Sequence, residues 1–498
     1  MSVEDARQMI HRKGFSFISY PNNLVIGIPI VASLFSFLHI GRKNIWIDEG
    51  VSMLIAKLPW RDFWAVLSSK EINMWLYFLL LKLWIFLGDN EFAVRSLSAL
   101  FAIASIPVLY ALTKRLFGER AGLITILLIS VNAFFIEYAQ EARGYTLVFF
   151  LVILSSYLFV RVIEDPANKK MVCGYVCISA LALYTHIFAA LVLMVQTVSA
   201  LVLPPNTLRT RRLLLSNLMI VILFIPMAFF ILKIGGDQIS WIPKASVLKI
   251  KELFMDLSGD AGHMKYSTMF YMLPCSITLA HAFATFFKKG RSLDTWRYAF
   301  IFFWLVIPIF LVYGISFIKP MFLSRYFIVS LPGLVLLAGV GIALIEDKYC
   351  YTILLILLTL LSVRSTITQY YPKEKEENNR DSASFVLSHA QRGDGILFYR
   401  AGAIVCFEYY WKRLNPPADL IDSVYPTKFG QYKYKDHDLT VSYLESLKDR
   451  NERIWVVLRQ NGDEFRFIPN TLKKNYQLQQ EKNYTGIHVL LFVKKKVS

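Results

Sequence analysis

Long apolar runs separated by short polar loops constrain the fold of this chain more than any other feature. A helix that crosses a bilayer needs about twenty consecutive apolar residues, and the run 24–40 is the first candidate. Charged residues make up 18% of the chain, whereas soluble domains are about a quarter charged. We therefore predict a polytopic α-helical membrane protein with about eleven spans. The later spans are expected at residues 94–112, 121–135, 145–162, 171–185, 187–203, 213–232, 269–287, 298–317, 326–344 and 351–363.

The basic residues indicate which side of the membrane each loop faces. Arg7, Arg12 and Lys13 precede the first run, and short cytoplasmic loops carry an excess of Lys and Arg. The loop after this run is then extracytoplasmic. The run 74–87 is ambiguous, because a length of about fourteen residues suits a membrane-surface helix as well as a span. If it lies along the surface, four later basic groups all face the cytoplasm: Lys114/Arg115/Arg120, Lys169/Lys170, Arg209/Arg211/Arg212 and Lys288/Lys289/Arg291/Arg297.

This topology divides the chain into a membrane domain, 1–371, and a water-soluble domain, 372–498. Residues 41–91 become one large external loop that contains membrane-surface helices. Beyond residue 371 a charged run leads into short apolar or β-branched segments bounded by polar residues, which are typical of strands. We expect a helix at 382–390 and strands at 395–399, 453–458 and 486–493. The sequence thus predicts a C-terminal extracytoplasmic α/β domain on a protein of the plasma (inner) membrane.

Composition and motifs exclude several classes of partner. The net charge of +18 is spread over short loops, so topology and anionic membrane lipids explain it better than nucleic acid does. No Walker loop or strand-linked GxGxxG motif is present, which argues against a nucleotide cofactor. The five cysteines show no disulfide framework.

Two adjacent carboxylates, Asp48 and Glu49, lie where the first apolar run gives way to water. One can serve as a general base while the other holds a cation or orients its neighbour; the alternative is a solvated loop. A second cluster on the same side contains Glu137, Glu141 and Arg143. We expect Glu141 to face Asp48 across a cavity, sharing a divalent metal or fixing the acceptor, while Arg143 binds phosphate. A salt bridge at a helix end is the alternative for this cluster.

Basic residues elsewhere on the external side are candidate phosphate ligands. Arg325 and Tyr326 open a long apolar run, where an arginine either reaches toward the headgroups or binds the phosphate of an anionic lipid. His186 stands between two short apolar runs and either breaks the helix or assists a metal or phosphate. Weaker candidates are Arg95, Lys43, Lys244 and Lys249 for phosphate, and Glu71 and His263 for a metal ion shared with Asp48 and Glu141.

Several short motifs follow one another between residues 44 and 344. They are Asp48-Glu49, NMWLYFLLL from Asn73, AVRSLSAL from Ala93, KRLFG from Lys114, QEARGY from Gln140 and SRY from Ser324. Their order resembles that of the GT-C membrane glycosyltransferases, and in particular the bacterial protein O-mannosyltransferases and lipid A aminoarabinose transferases (PMT/ArnT type). The resemblance implies a polyprenyl-phosphate sugar donor used on the external side, with Asp48 at the position of the family's first-loop acidic residue. Relatives often have Pro-Pro where this chain has Met74-Trp75.

The predicted function is a glycosyltransferase that moves a sugar from a polyprenyl-phosphate donor to a lipid, glycan or protein acceptor. Asp48 would accept the acceptor's proton, while Arg143 and Arg325 stabilise the leaving phosphate. A transporter or flippase would instead place charges deep within its spans. A polymerase of lipid-linked glycans would share the donor and differ in the acceptor.

Overall fold

The computed structural model of the protein describes residues 22–71, 73–234, 242, 245–260, 265–370, 377–399, 402–417, 419–425, 439–459 and 466–495. Up to residue 370 the described chain is helical. Its α-helices are α1 Asn22–Phe37, α2 Ile47–Lys57, α3 Trp60–Lys70, α4 Trp75–Trp84, α5 Glu91–Phe117, α6 Glu119–Val131, α7 Ala133–Ala139, α8 Tyr145–Glu164, α9 Lys169–Thr185, α10 Ala189–Ala200, α11 Thr207–Ile234, α12 Val247–Leu257, α13 Lys265–Lys289, α14 Leu293–Ile315, α15 Leu331–Leu344 and α16 Lys348–Ser365.

Each predicted span corresponds to a helix or to a pair of helices, and the protein is an integral membrane protein with several apolar helices. Among the described residues, six helices are long and apolar enough to cross a bilayer, or seven if the bent pair α6–α7 forms one span. The figure of about eleven spans therefore stays a prediction. The predicted span 326–344 is divided, because a 3₁₀ segment, Ser324–Val329, precedes α15.

A bend of 63° separates α6 from α7. Asn132 lies at this point, and its side-chain oxygen accepts a hydrogen bond of 2.9 Å from the Phe135 amide. Its side-chain nitrogen donates to the Leu257 carbonyl at 3.0 Å. The side chain thus caps α7, as asparagine commonly does at a helix N-terminus, and α7 can start in a new direction.

Helix α15 is buried on all sides, and two of its glycines permit that packing. A Cβ atom at Gly339 would meet the side chain of Thr125, and one at Gly341 would meet the carbonyl of Pro274. Small residues of this kind allow membrane helices to approach closely. The short helix therefore fills the centre of the bundle and holds the 3₁₀ segment before it against the other helices.

Residues 41–91 form the short helices α2, α3 and α4, followed by a 3₁₀ segment, Ile85–Leu87. Helix α4 has ten residues, which is well short of the length needed to cross the hydrocarbon core. Large apolar side chains are exposed on this region, namely Trp60, Trp64, Phe86 and Leu87. These features support the predicted location at the membrane surface, which itself stays a prediction.

The C-terminal part is a small α/β unit built around a five-stranded sheet of order β2-β1-β3-β5-β4. Strand β1 is parallel to β2 and β3, and β5 is antiparallel to β3 and β4. The predicted helix and three strands are confirmed. The elements are α17 Asn379–His389, β1 Asp394–Tyr399, α18 Ala403–Arg413, β2 Ile421–Tyr425, α19 Val441–Ser446, β3 Arg453–Arg459, α20 Phe467–Asn475, β4 Tyr476–Tyr484 and β5 Ile487–Lys494.

The two edge strands, β2 and β4, were not predicted from the sequence. Strand β4 reads YQLQQEKNY and is largely polar, because an edge strand needs little apolar surface and is protected from aggregation by charged side chains. The interior strands β1, β3 and β5 are the apolar ones. Helix α18 packs against α2, so that the C-terminal unit contacts the helix that carries Asp48.

Candidate active site

Asp48 and Glu49 lie in the first turn of α2, with Trp46 as the N-cap residue. Negative charge is favoured there because the first amide groups of a helix lack intrahelical partners and the helix dipole is positive at this end. The Trp46 amide contacts the Glu49 carboxylate at 3.4 Å. The two acidic side chains differ in environment: that of Asp48 is 27% exposed and that of Glu49 is fully buried.

Glu49 is held by Arg95 of α5 through two hydrogen bonds. Arg95 Nε lies 2.7 Å from Glu49 Oε1, and Arg95 Nη2 lies 2.6 Å from Glu49 Oε2. The Ala142 amide also donates to Oε1, at 2.8 Å. Arg95 donates in addition to the carbonyls of Ile40, Lys43 and Asn44, at 2.8 to 2.9 Å. Both side chains are therefore buried, and they hold the segment before α2 in place.

Asp48 and Arg325 form an ion pair between residues 277 positions apart. Arg325 Nη1 lies 3.2 Å from Asp48 Oδ2, and the two side chains stay 19% and 27% exposed. The Arg325 guanidinium lies 5.8 Å from the ring centres of both Trp46 and Tyr326, a distance at which cation–π attraction operates. This pair is thus accessible to a ligand in a way that Glu49 and Arg95 are not.

Arg143 approaches the same place from the loop between α7 and α8. Its Nη1 lies 3.3 Å from the Asp48 carbonyl and 3.2 Å from Ser52 Oγ, and its Nε is buried without a hydrogen-bond partner in the described part of the chain. Burial acts to lower the pKa of Arg143, but the nearby charge of Asp48 helps to raise it above its ordinary value. The guanidinium therefore stays charged and retains a free donor.

His186 follows the last residue of α9 and is 2% exposed. Its Nδ1 accepts a hydrogen bond of 3.2 Å from the Phe188 amide, so the neutral ring carries its proton on Nε2. Burial, together with the charges of Arg143 and Arg325, lowers the pKa of His186 to about 3. Its Nε2 is buried and has no hydrogen-bond partner among the described residues. At neutral pH His186 is therefore an uncharged donor near two arginines.

Glu141, Glu71 and Tyr326 complete the predicted set. Helix α7 ends at Ala139, so Glu137 and Glu141 do not share a helix face as a longer helix would have required. Glu71 ends α3, and its charge contributes to raising the pKa of Arg143. The Tyr326 ring packs 5.4 Å from that of His186.

The predicted metal ligands Asp48, Glu141 and Glu71 are not assembled into a binding set. Within the described ranges, no group of three or more His, Cys, Asp or Glu side chains is placed to hold a metal ion. Among the weaker candidates, Lys249 pairs with Glu252 at 2.6 Å. Lys244 and His263 lie outside the described residues.

The loop Gln140–Arg143 is tied both to the end of α1 and to α2. Gln140 Nε2 donates to the carbonyls of Phe35 and Leu38, both at 2.8 Å, in addition to the contacts of Ala142 and Arg143. The sequence analysis did not identify Gln140 or Ser52. Ser52 had a detectable signal, because it follows Asp48 by four residues and so lies on the same helix face.

Part of the chain matches the model of a known protein family. Residues 73–230 match the family model described as dolichyl-phosphate-mannose-protein mannosyltransferase. This region contains Arg95, Glu141, Arg143 and His186, and it excludes Asp48 and Arg325. A search of curated protein sequences gave no match.

Solved structures match nearly the whole chain at low sequence identity. ArnT from Cupriavidus metallidurans bound to undecaprenyl phosphate is 13% identical, with a TM-score of 0.64 over 95% of this chain and 98% of ArnT. Apo ArnT is 14% identical, with a TM-score of 0.63 over 94% and 98% of the two chains.

A second solved structure with a similar fold is that of the archaeal oligosaccharyltransferase AglB from Archaeoglobus fulgidus, in complex with an inhibitory peptide and a dolichol-phosphate. It is 9% identical, with a TM-score of 0.51 over 96% of this chain and 75% of AglB. The sequence match and the shared fold together confirm that this chain resembles the GT-C glycosyltransferases of the PMT and ArnT type.

Proposed function

We propose that the protein transfers a sugar from a polyprenyl-phosphate donor to an acceptor at the extracytoplasmic face of the plasma (inner) membrane. The observation that carries this proposal is the meeting of Asp48, Arg143 and Arg325, which come from three segments that are distant in the sequence. A carboxylate that can accept a proton thus lies beside two cations that can bind a leaving phosphate. The ArnT structure with undecaprenyl phosphate and the AglB structure with dolichol-phosphate support a lipid-phosphate donor for this fold.

The phosphate of the donor would bind among Arg143, Arg325 and His186. Arg143 Nε and His186 Nε2 are buried donors without a hydrogen-bond partner among the described residues, and a buried donor of this kind is costly unless a ligand satisfies it. Arg325 adds a partly exposed guanidinium, whose planar donor group suits phosphate oxygens. Because His186 is neutral, the site would offer two positive charges and one neutral N–H.

In the structure Asp48 is the counter-ion of Arg325. A bound phosphate would compete for that guanidinium and release the Asp48 carboxylate toward the acceptor. The acceptor oxygen or nitrogen would attack the anomeric carbon of the sugar, and the bond from that carbon to the phosphate oxygen would break with its electron pair. Asp48 would take the acceptor's proton, and polyprenyl phosphate would leave. Attack opposite the leaving group inverts the anomeric configuration.

Glu49 and Arg95 receive a different role from the one that the sequence suggested. Their contacts satisfy each other and the loop carbonyls, so we assign them to the support of α2 and not to the chemistry. We keep Glu141 as a candidate contact of the acceptor and Tyr326 as a wall of the phosphate site. A divalent metal is given no step, because the described residues do not form a ligand set for one.

The test uses the purified protein in nanodiscs with radiolabelled undecaprenyl-phosphate mannose, glucose, galactose and aminoarabinose. Cell-envelope lipid and protein fractions serve as separate acceptors. We expect label to appear in one acceptor fraction with the wild-type protein and not with Asp48→Asn. If proteoliposomes moved a labelled donor between leaflets without any transfer, the protein would be a flippase and the proposal would fail.

A further inference from the structure

Helix α18 of the C-terminal unit lies directly on α2, the helix that begins with Asp48 and Glu49. Two glycines make this approach possible. A Cβ atom on Gly50 would lie 3.0 Å from Val405 Cγ1 and 3.1 Å from Cys406 Sγ. A Cβ atom on Gly402 would lie 2.5 Å from Ile47 Cδ1. Real Cβ atoms essentially never lie as close as 2.5 Å to another heavy atom. This interface is therefore tightly packed on both sides.

One hydrogen bond joins α18 to the chain just before α2. The Ile45 amide donates to the Tyr410 hydroxyl at 2.7 Å in a buried environment. Ile45 precedes the N-cap residue, so its amide has no place in the hydrogen bonding of the helix. Burial raises the pKa of Tyr410, and the hydroxyl stays neutral at physiological pH. Loss of this oxygen would leave a buried N–H group without an acceptor.

The segment 43–45 is therefore held from two directions. Arg95 of the membrane domain donates to the carbonyls of Lys43 and Asn44, at 2.9 and 2.8 Å. The C-terminal unit accepts from the Ile45 amide and also contacts the Asn44 side chain, whose Nδ2 lies 3.1 Å from Asn378 Oδ1. Asp48 follows Ile45 by three residues. Contacts from the membrane domain and from the C-terminal unit therefore both determine where α2 starts.

The far end of the same external loop is also fixed to the C-terminal unit. Arg380 of α17 pairs with Glu91 at 2.6 Å, and Arg413 of α18 pairs with Asp89 at 3.1 Å. The Tyr409 hydroxyl donates to the Asp89 carbonyl at 2.9 Å. The C-terminal unit thus contacts both ends of residues 41–91 and not a single point.

We propose that the C-terminal unit helps to hold the active site in its geometry and that Tyr410 is a positioning residue for Asp48. This inference rests on the proposed function. Tyr410 touches neither donor nor acceptor in this account; it acts by fixing the backbone from which α2 starts. A displacement of about 1 Å can cost about a hundredfold in rate when a reacting group must be aligned.

The experiment compares Tyr410→Phe with Tyr476→Phe in the full-length protein in nanodiscs. Both variants lose one buried hydroxyl and keep the ring. The hydroxyl of Tyr476 donates to the Asn451 carbonyl at 2.9 Å inside the C-terminal unit, away from the external loop. Turnover is measured below the melting temperature of each variant, with the undecaprenyl-phosphate sugar that the wild-type protein uses. Hydrogen–deuterium exchange reports on the peptide that contains Ile45.

For Tyr410→Phe we expect a fall in kcat of about tenfold or more, with the KM for the donor within about twofold of the wild-type value. Exchange at the Ile45 peptide should accelerate, because the amide has lost its acceptor. Tyr476→Phe should keep the wild-type kcat and the slow exchange of that peptide. A merely structural role would lower the folded fraction of both variants and leave the kcat per folded molecule unchanged.

Faster exchange in Tyr410→Phe with unchanged kcat would overturn the positioning role and leave the proposed function intact. Unchanged exchange would show that Tyr410 does not hold the loop. If the wild-type protein transferred no sugar from any donor of the panel, the proposed function would fail, and the catalytic meaning of Tyr410 would fail with it.

Discussion

The carboxylate of Glu49 and the guanidinium of Arg95 are joined by two hydrogen bonds of 2.7 and 2.6 Å, and their side chains are 0% and 3% exposed. Removal of one member of such a buried pair leaves the other charge uncompensated, at a cost of about 3–5 kcal/mol. Adjacent Asp48 forms a partly exposed pair instead. Loss of the Glu49 charge should therefore lower stability, whereas loss of the Asp48 charge should mainly lower turnover.

Glu49→Gln should destabilise the protein by about 3–5 kcal/mol, because Arg95 would stay buried without its counter-ion. Thermal unfolding in detergent measures the shift. Glu164→Gln is the matched control, since Glu164 pairs with Arg115 at a site where its side chain is 35% exposed; a pair of that kind contributes about 1 kcal/mol or less. Loss of turnover by Glu49→Gln at unchanged stability would instead indicate a catalytic role for Glu49.

Asp48→Asn should lower turnover by about 10²–10⁴-fold, which is the usual contribution of a general base. The substitution keeps the shape of the side chain and its partly exposed position, so the melting temperature should change little. Sugar transfer in nanodiscs measures the effect. Asp62→Asn, on the exposed face of α3, should behave as wild type. Equal turnover of Asp48→Asn and the wild-type protein would exclude Asp48 as the base.

Arg325→Lys should weaken the binding of undecaprenyl phosphate by about tenfold, because a hydrogen bond to a charged group contributes about 1.5–3 kcal/mol and lysine cannot reproduce the planar donor group. Equilibrium binding of the labelled lipid in nanodiscs measures the change. Arg392→Lys is the control, since the Arg392 side chain is 76% exposed in the C-terminal unit. Unchanged affinity in Arg325→Lys would place the phosphate elsewhere.

The pKa of His186, lowered to about 3, predicts a pH dependence of stability. Because His186 has a lower pKa when folded than when unfolded, the unfolded chain binds the extra proton first as the pH falls below about 6.5. Stability should then fall between about pH 6.5 and pH 3, by up to about 1.4 kcal/mol per pH unit from this residue. The contribution of neutral His186 to stability should be fully present above about pH 6.5.

Chemical denaturation at several pH values tests this dependence. His186→Gln should flatten the curve below about pH 6.5, since glutamine has no proton to gain. His389→Gln removes an exposed histidine and should leave the slope as in the wild-type protein. An identical slope in His186→Gln would mean that His186 is not the residue that titrates.

The sequence predicted the helical spans because the length of an apolar run is local information. It missed the bend at Asn132, whose side chain binds a carbonyl 125 residues away. The proximity of Asp48, Arg143 and Arg325 was expected from one inference, that the run 74–87 stays at the external surface, and that location itself stays a prediction. That inference rests on the positive charges of the loops alone and does not depend on how the helices pack.

The sequence could not predict that Asp48 is partly exposed while Glu49 is buried, since this difference depends on the burial of Arg95. Tyr410 was missed for a similar reason. Helix α18 reads AIVCFEYYWKR, and every residue from Ala403 to Trp411 is buried, so the sequence does not distinguish the side that meets α2 from the side that packs on the sheet. A contact between chain segments more than 360 positions apart leaves no local trace.

Gly50→Val should separate the C-terminal unit from α2. A valine side chain would add further atoms at a place where even the Cβ atom lies 3.0 Å from Val405 Cγ1 and 3.1 Å from Cys406 Sγ. Overpacking costs about 1–3 kcal/mol, while replacement of a helical glycine can return up to about 1 kcal/mol, so the clash should win. Gly314→Val is the matched control, because within the described part of the chain no atom beyond the adjoining turns of its own helix lies within 4 Å of a Cβ at Gly314.

We expect Gly50→Val to lose turnover and to expose the interface to limited proteolysis near α18, whereas Gly314→Val should show neither effect. Gly50→Ala should be intermediate, because its single methyl group requires Val405 and Cys406 to shift by only a few tenths of an ångström. If Gly50→Val had wild-type turnover and wild-type protease resistance, the close packing of α18 on α2 would not govern the geometry of Asp48.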